Sequence, residues 1–113
     1  LITEAKREVL HMVLSGYRPP APELIYAAGR DALAAIRIGA WMFREGHYIT
    51  PYDHHIASKL AYVMCGGELT RPQWVSEQYI LDLEREAILS LFGEERTQAR
   101  MWNILQTGKP LRN

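Results

Sequence analysis

The chain has a single cysteine, no surplus of charge of either sign, and no apolar run near the ~20 residues needed to cross a bilayer. A lone Cys65 excludes an internal disulfide and offers a metal ion no second thiol, which fits a reducing compartment. Thirteen Lys and Arg against thirteen Asp and Glu leave the chain neutral. The long-range attraction used by nucleic-acid and anionic-membrane binders is therefore missing, and neither nucleic acid nor a membrane span is expected as a partner. The opening Leu1-Ile2-Thr3-Glu4 has neither the basic nor the apolar region of a secretion signal, so a cytoplasmic protein is expected. Phosphate loops are lacking too: Gly29, Gly39 and Gly66-Gly67 fit neither G-x-G-x-x-G nor the P-loop spacing, which argues against a nucleotide fold. Ser15, Ser58, Ser76 and Ser90 all lie outside any G-x-S-x-G, which argues against a serine hydrolase.

What the chain does have is helical periodicity. At 113 residues and 48% hydrophobic it is expected to form one domain, residues 1–113, with a core of its own. Ile2, Ala5, Val9, Met12 and Val13 fall on one face of a first helix that stops at Ser15-Gly16. The prolines between Tyr17 and Pro22 make an extended connection leading into Glu23–Gly29, read as a short strand or coil. From Arg30 to Glu45 apolar residues nearly surround the helix, the pattern of a central buried helix, and Gly39 with Ala35 and Ala40 would let a neighbouring backbone come close. Thr50, Pro51 and Asp53 mark the next helix start, and Gly66-Gly67 its end. Glu68–Val75 reads as a loop. Ser76 caps a helix to Phe92, and Gly93 separates it from a last helix, Glu94–Thr107. The expected fold is all-α: about five helices with short connections.

Candidate chemistry is sparse. Asp53-His54-His55 resembles a ligand cluster, but successive helical residues diverge by about 100°, and both histidines are expected at the surface; His47 and His11 are isolated, and no metal site is expected. Glu84 projects among Ile80, Leu83, Ala87, Ile88 and Leu91, so its carboxylate needs a partner; Arg100, at the edge of the next helix's inner face, is the expected one, in a structural ion pair. No second acid, base or nucleophile accompanies Glu84, and no catalytic residue is assigned. Arg30, Arg37 and Arg44 form a stripe that suits an anion, although such a stripe is more often the wet side of a helix.

The stretch Glu77-Gln78-Tyr79-Ile80-Leu81-Asp82-Leu83-Glu84-Arg85-Glu86-Ala87, then Thr97, Arg100 and the closing Gly108-Lys109-Pro110-Leu111-Arg112-Asn113, resembles the C-terminal end of bacterial multifunctional β-oxidation proteins. In that family a 3-hydroxyacyl-CoA dehydrogenase is fused to a crotonase-type enoyl-CoA hydratase. Pro19-Pro20, Gly29-Arg30-Asp31, Gly46-His47-Tyr48-Ile49-Thr50 and Gly66-Gly67 extend the likeness over nearly the whole chain.

The resemblance, together with an opening Leu1 in place of Met, implies a fragment of a larger enzyme. The oxyanion-hole and glutamate segments of a crotonase lie before its terminal helices, and the dinucleotide turn and His–Glu pair of a dehydrogenase are missing here. No cofactor is expected on the fragment; NAD and a CoA thioester belong to the parent enzyme, and the fragment alone is expected to be inactive. Its partners would be the rest of the parent, an acyl-CoA whose phosphates Lys109 and Arg112 approach, and a second copy, since helices stripped of a catalytic core self-associate. The alternative is a free-standing helical protein-interaction module.

Overall fold

A computed structural model describes all 113 residues. The element order is α1 (Ile2–Leu14), β1 (Leu24–Ala27), α2 (Gly29–Glu45), α3 (Pro51–Met64), β2 (Gln73–Ser76), α4 (Glu77–Phe92) and α5 (Glu95–Thr107). Five helices make the chain 65% helical, and a two-stranded antiparallel sheet keeps it from being purely all-α. β1 realises the extended segment expected near residues 23–29. β2 lies where a loop was expected: Ala27 pairs with Gln73, Tyr26 with Trp74, Ile25 with Val75 and Leu24 with Ser76. Tyr26 and Trp74 meet edge to face at 5.2 Å between ring centres, a cross-strand pair that reinforces so short a ladder.

The helix starts follow their caps. Thr50 Oγ1 accepts from the Asp53 N–H at 3.0 Å while Asp53 Oδ2 accepts from the Thr50 N–H at 2.9 Å, a complete capping box with Pro51 in the first helical position. Ser76 Oγ accepts from the Tyr79 N–H at 3.1 Å and opens α4 directly from the end of β2. Gly66 and Gly67, both at positive φ, reverse the chain after α3. A β carbon at Gly66 would lie 2.6 Å from that of Ala27, so the turn and the strand close on each other only because residue 66 is glycine.

The core is small. Leu33, Ala61 and Cys65 form its centre, with Ala28, Ala32 and Tyr62 packed around them, and nine residues in the chain are buried. α2 is not the central buried helix its composition suggests: only Gly29 and Leu33 are buried, while Ile36, Ile38, Trp41, Met42 and Phe43 face outward. α3 takes the central place, burying Tyr52, Ala61 and Val63 between α2 and α4. Every residue of α1 is exposed.

The dimensions explain this. A compact 113-residue globule has a radius of gyration of about 13 Å and a surface of about 6,300 Å². Here the values are 19.6 Å and 9093 Å², in a slab of 58 × 43 × 22 Å. The helical apolar stripes are present as the sequence requires, but this chain supplies too few layers to cover them. No helix is long and apolar enough to cross a membrane.

Candidate functional site

The densest polar arrangement lies where the start of α3, the middle of α5 and the C-terminal tail converge. The two carboxylate oxygens of Asp53 divide their work: Oδ2 completes the capping box, and Oδ1 accepts from Arg100 Nη1 at 2.7 Å. Arg100 also donates through Nε to Asn113 Oδ1 at 2.6 Å and through Nη2 to the Asn113 carbonyl at 3.1 Å. Its guanidinium lies over the Tyr52 ring, 5.1 Å from the centre, with that of Arg96 at 5.7 Å. Tyr52 Oη and Thr97 Oγ1, 2.6 Å apart, form a second α3–α5 tie, and His55, stacked on Tyr52, donates from Nε2 to Glu94 Oε1 at 2.8 Å as a third. The Thr50 N–H is the main reason the Asp53 carboxyl titrates below its ordinary range; burial opposes it and Arg100 adds to it.

This arrangement corrects the expected ion pair. Arg100 is a structural partner, but of Asp53 and not of Glu84, which is exposed and has no cation within ion-pair distance. The outward faces of α4 had no neighbour to tell them apart on a helical wheel. The sequence marks Asp53 as a helix-start residue and as part of Asp53-His54-His55, and the signal that it can also hold Arg100 is its second carboxylate oxygen. His55 is likewise not a solvated surface histidine but half-buried between Tyr52 and Glu94.

The arginine stripe is only partly a unit. Arg30 and Arg37 border one shallow groove over Leu33, with Arg37 4.0 Å from Glu68, whereas Arg44 lies in the last turn of α2, outside it. Lys109 is exposed, and its carbonyl accepts from Asn103 Nδ2 at 2.7 Å; Arg112 donates from Nη2 to the Tyr48 carbonyl at 3.2 Å. A cleft of about 290 Å³ between α3 and α4 gathers Arg37, His55, Ser58, Lys59, Tyr62 and Ser90 among its lining residues. It holds no nucleophile–base pair: Ser58 donates to the His54 carbonyl and Ser90 to the Ala87 carbonyl, and His55 is occupied by Glu94. Cys65 is buried, and burial pushes its thiol up, away from the reactive thiolate. No three His, Cys, Asp or Glu side chains converge as metal ligands.

Nor do the residues fit a dinucleotide. The turn from β1 into α2 has one glycine, and the amides that would face a pyrophosphate are taken, Gly29 N–H by the Cys65 carbonyl at 3.0 Å and Arg30 N–H by the Leu69 carbonyl at 2.8 Å.

No protein-family model matches the chain, and no solved structure does. A probable 3-hydroxyacyl-CoA dehydrogenase of Bacillus subtilis (strain 168) is 43% identical over 113 residues, the whole of this chain and 14% of that protein's length. The matched stretch is its C-terminal part. The chain thus spans a small fraction of the relative it matches, and that relative's name carries the dehydrogenase half of the expected resemblance without the hydratase.

Proposed function

We propose that this chain is the C-terminal helical segment of a fatty-acid β-oxidation enzyme, a 3-hydroxyacyl-CoA dehydrogenase, and that it serves assembly rather than chemistry. The identity of 43% along the whole chain to the C-terminal part of a probable 3-hydroxyacyl-CoA dehydrogenase carries this reading. The physical support is the exposed apolar surface of α1 and α2, which is far more than an independent 113-residue domain displays and suits docking on a larger body. On this reading NAD and the CoA thioester are bound by the rest of a cytoplasmic enzyme, and the segment is inactive alone. The parent also carries a crotonase-type hydratase, over whose acyl-CoA site the terminal helices close, with Lys109 and Arg112 within reach of the CoA phosphates. Arg30 and Arg37 remain candidates for a further anionic contact.

The same exposed faces would serve a free-standing interaction module, and one experiment separates the two. The complete product of the gene is assayed for NADH formation from 3-hydroxyacyl-CoA and for hydration of enoyl-CoA, beside a form lacking these 113 residues and the two pieces mixed. Activity in the complete protein, its loss on truncation and its recovery on mixing are expected. A complete product without dehydrogenase activity overturns the reading.

A further inference from the structure

α1 stands apart from the rest of the chain. All thirteen of its residues are exposed, and no other element packs closely on it. The helix closes its own end: the Gly16 N–H donates to the Val13 carbonyl at 3.2 Å and the Tyr17 N–H to the Met12 carbonyl at 3.0 Å, with Gly16 in the left-handed region. Residues 15–22 are exposed as well, and none of them hydrogen-bonds to the body, residues 24–113. Pro19, Pro20 and Pro22 favour an extended connection of about 3.1 Å per residue, which holds α1 off that body.

Yet α1 is amphipathic. Ile2, Ala5, Val9 and Val13 line one side of it, and Glu4, Arg7, Glu8 and His11 the other. Ile2, Val9 and Val13 are 74%, 58% and 68% exposed, and Ile2, Ala5, Val9 and Leu10 form a shallow apolar groove edged by Lys6. A solvent-exposed arm needs no apolar stripe, and a 13-residue helix is marginal in water without a surface to pack on.

We infer that this surface is the polypeptide preceding the chain in the complete enzyme: α1 is the last helix of that preceding unit, and residues 15–22 are the spacer between it and the body. α1 docks in this way only if the chain is a C-terminal segment of a longer enzyme, as proposed above, and residues 1–113 then belong to two packing units rather than one domain. The matched stretch of the Bacillus subtilis relative is its C-terminal part and 14% of its length, so most of that protein lies ahead of the residues that match α1. A surface on the same polypeptide meets α1 at an effective concentration on the order of mM, which a second copy at micromolar concentration does not match.

Hydrogen–deuterium exchange on the complete gene product, and on the isolated chain in dilute solution, tests this. In the isolated chain the α1 amides should exchange within about tenfold of the unprotected rate, and in the complete protein at least about 100-fold more slowly. Val9→Asp in the complete protein should remove that protection and leave the α3 amides unchanged, whereas Arg7→Gln, on the wet side, should alter neither. Free exchange of α1 in the complete protein, protection of α1 already in the isolated chain, protection indifferent to Val9→Asp, or a loss that spreads to α3 would each overturn the proposal. Assaying the same sample for NADH formation from 3-hydroxyacyl-CoA keeps the two readings apart. An active enzyme with a freely exchanging α1 sinks only the docking of α1, and a protected α1 in a complete protein without dehydrogenase activity sinks only the dehydrogenase reading.

Discussion

Arg100 Nη1 lies 2.7 Å from Asp53 Oδ1, joining the first turn of α3 to the middle of α5 across 47 residues of chain. Because Asp53 is also the third residue of the capping box, the bond that starts α3 and the bond that fixes α5 share one carboxylate. Neither side chain is more than about a quarter exposed, 19% for Arg100 and 27% for Asp53, so the pair is better shielded than any other ion pair in the chain.

Removing Arg100 should therefore cost more than its surface position suggests. Arg100→Ala leaves Asp53 Oδ1 and both acceptors of Asn113 without their donor, a loss of about 1–3 kcal/mol, which lowers Tm by about 4 °C or more per kcal/mol. Arg100→Lys should recover only part of this, since one ammonium replaces three guanidinium contacts in fixed directions. Glu84→Gln should leave Tm unchanged, since Glu84 is exposed and has no ion-pair partner. A drop for Glu84→Gln equal to that for Arg100→Ala would reinstate the pair expected from the sequence.

The same carboxylate sets a pH dependence whose sign is fixed. Asp53 titrates below its ordinary value in the folded chain, first through the Thr50 N–H and then, against the opposing effect of burial, through Arg100. A carboxyl with a depressed folded pKa adds stability that is fully present above the unfolded value of about 3.9 and is lost as pH falls through the folded value. Thermal melts of the parent chain and Asp53→Asn should accordingly differ most above about pH 5 and converge below about pH 4. A constant difference across that range would mean that the carboxylate charge plays no part.

His55 and Glu94 offer a local check on the third α3–α5 tie. The hydrogen bond from His55 is the main cause that holds the Glu94 carboxyl below its ordinary range. In a carbon-detected titration Glu94 should show a midpoint below the usual value of about 4.3, and His55→Ala should move it back up. A Glu94 midpoint indifferent to His55→Ala would show that the two side chains do not hold together in solution. Global stability should change little, because Glu94 is a solvent-facing partner.

The limits of the sequence follow the same division between local and long-range causes. Thr50, Pro51, Asp53 and Ser76 act within one helical turn, and the starts of α3 and α4 fall where those residues place them. β2 depends on a partner strand some fifty residues earlier, and its four residues are too few for an alternation to stand out beside Pro72. The helical wheel put Arg100 at an inner edge and in need of a carboxylate. The pattern points to Glu84, one helix earlier, whereas the fold brings Asp53 to Arg100, and only the three-dimensional path of the chain decides between them. The apolar girdle of α2 points to a central buried helix, yet within this chain only Gly29 and Leu33 of it are buried, because periodicity tells which faces are apolar and not what lies against them.

Gly39 turns that last point into a measurement. Beside Ala35 and Ala40 it was expected to admit a neighbouring backbone, yet a β carbon built there meets nothing within 4 Å. In the isolated chain Gly39→Ala therefore carries only the intrinsic helical preference for alanine, and should stabilise by about 0.5–1 kcal/mol. In the complete protein proposed above, where the outward face of α2 lies against the remainder of the enzyme, the added methyl group enters a close contact and the same substitution should destabilise. Paired melts of the two forms, each with and without the substitution, read out the sign. Opposite signs are the expected result, and an equal gain in both would show that α2 does not dock through the face containing Gly39.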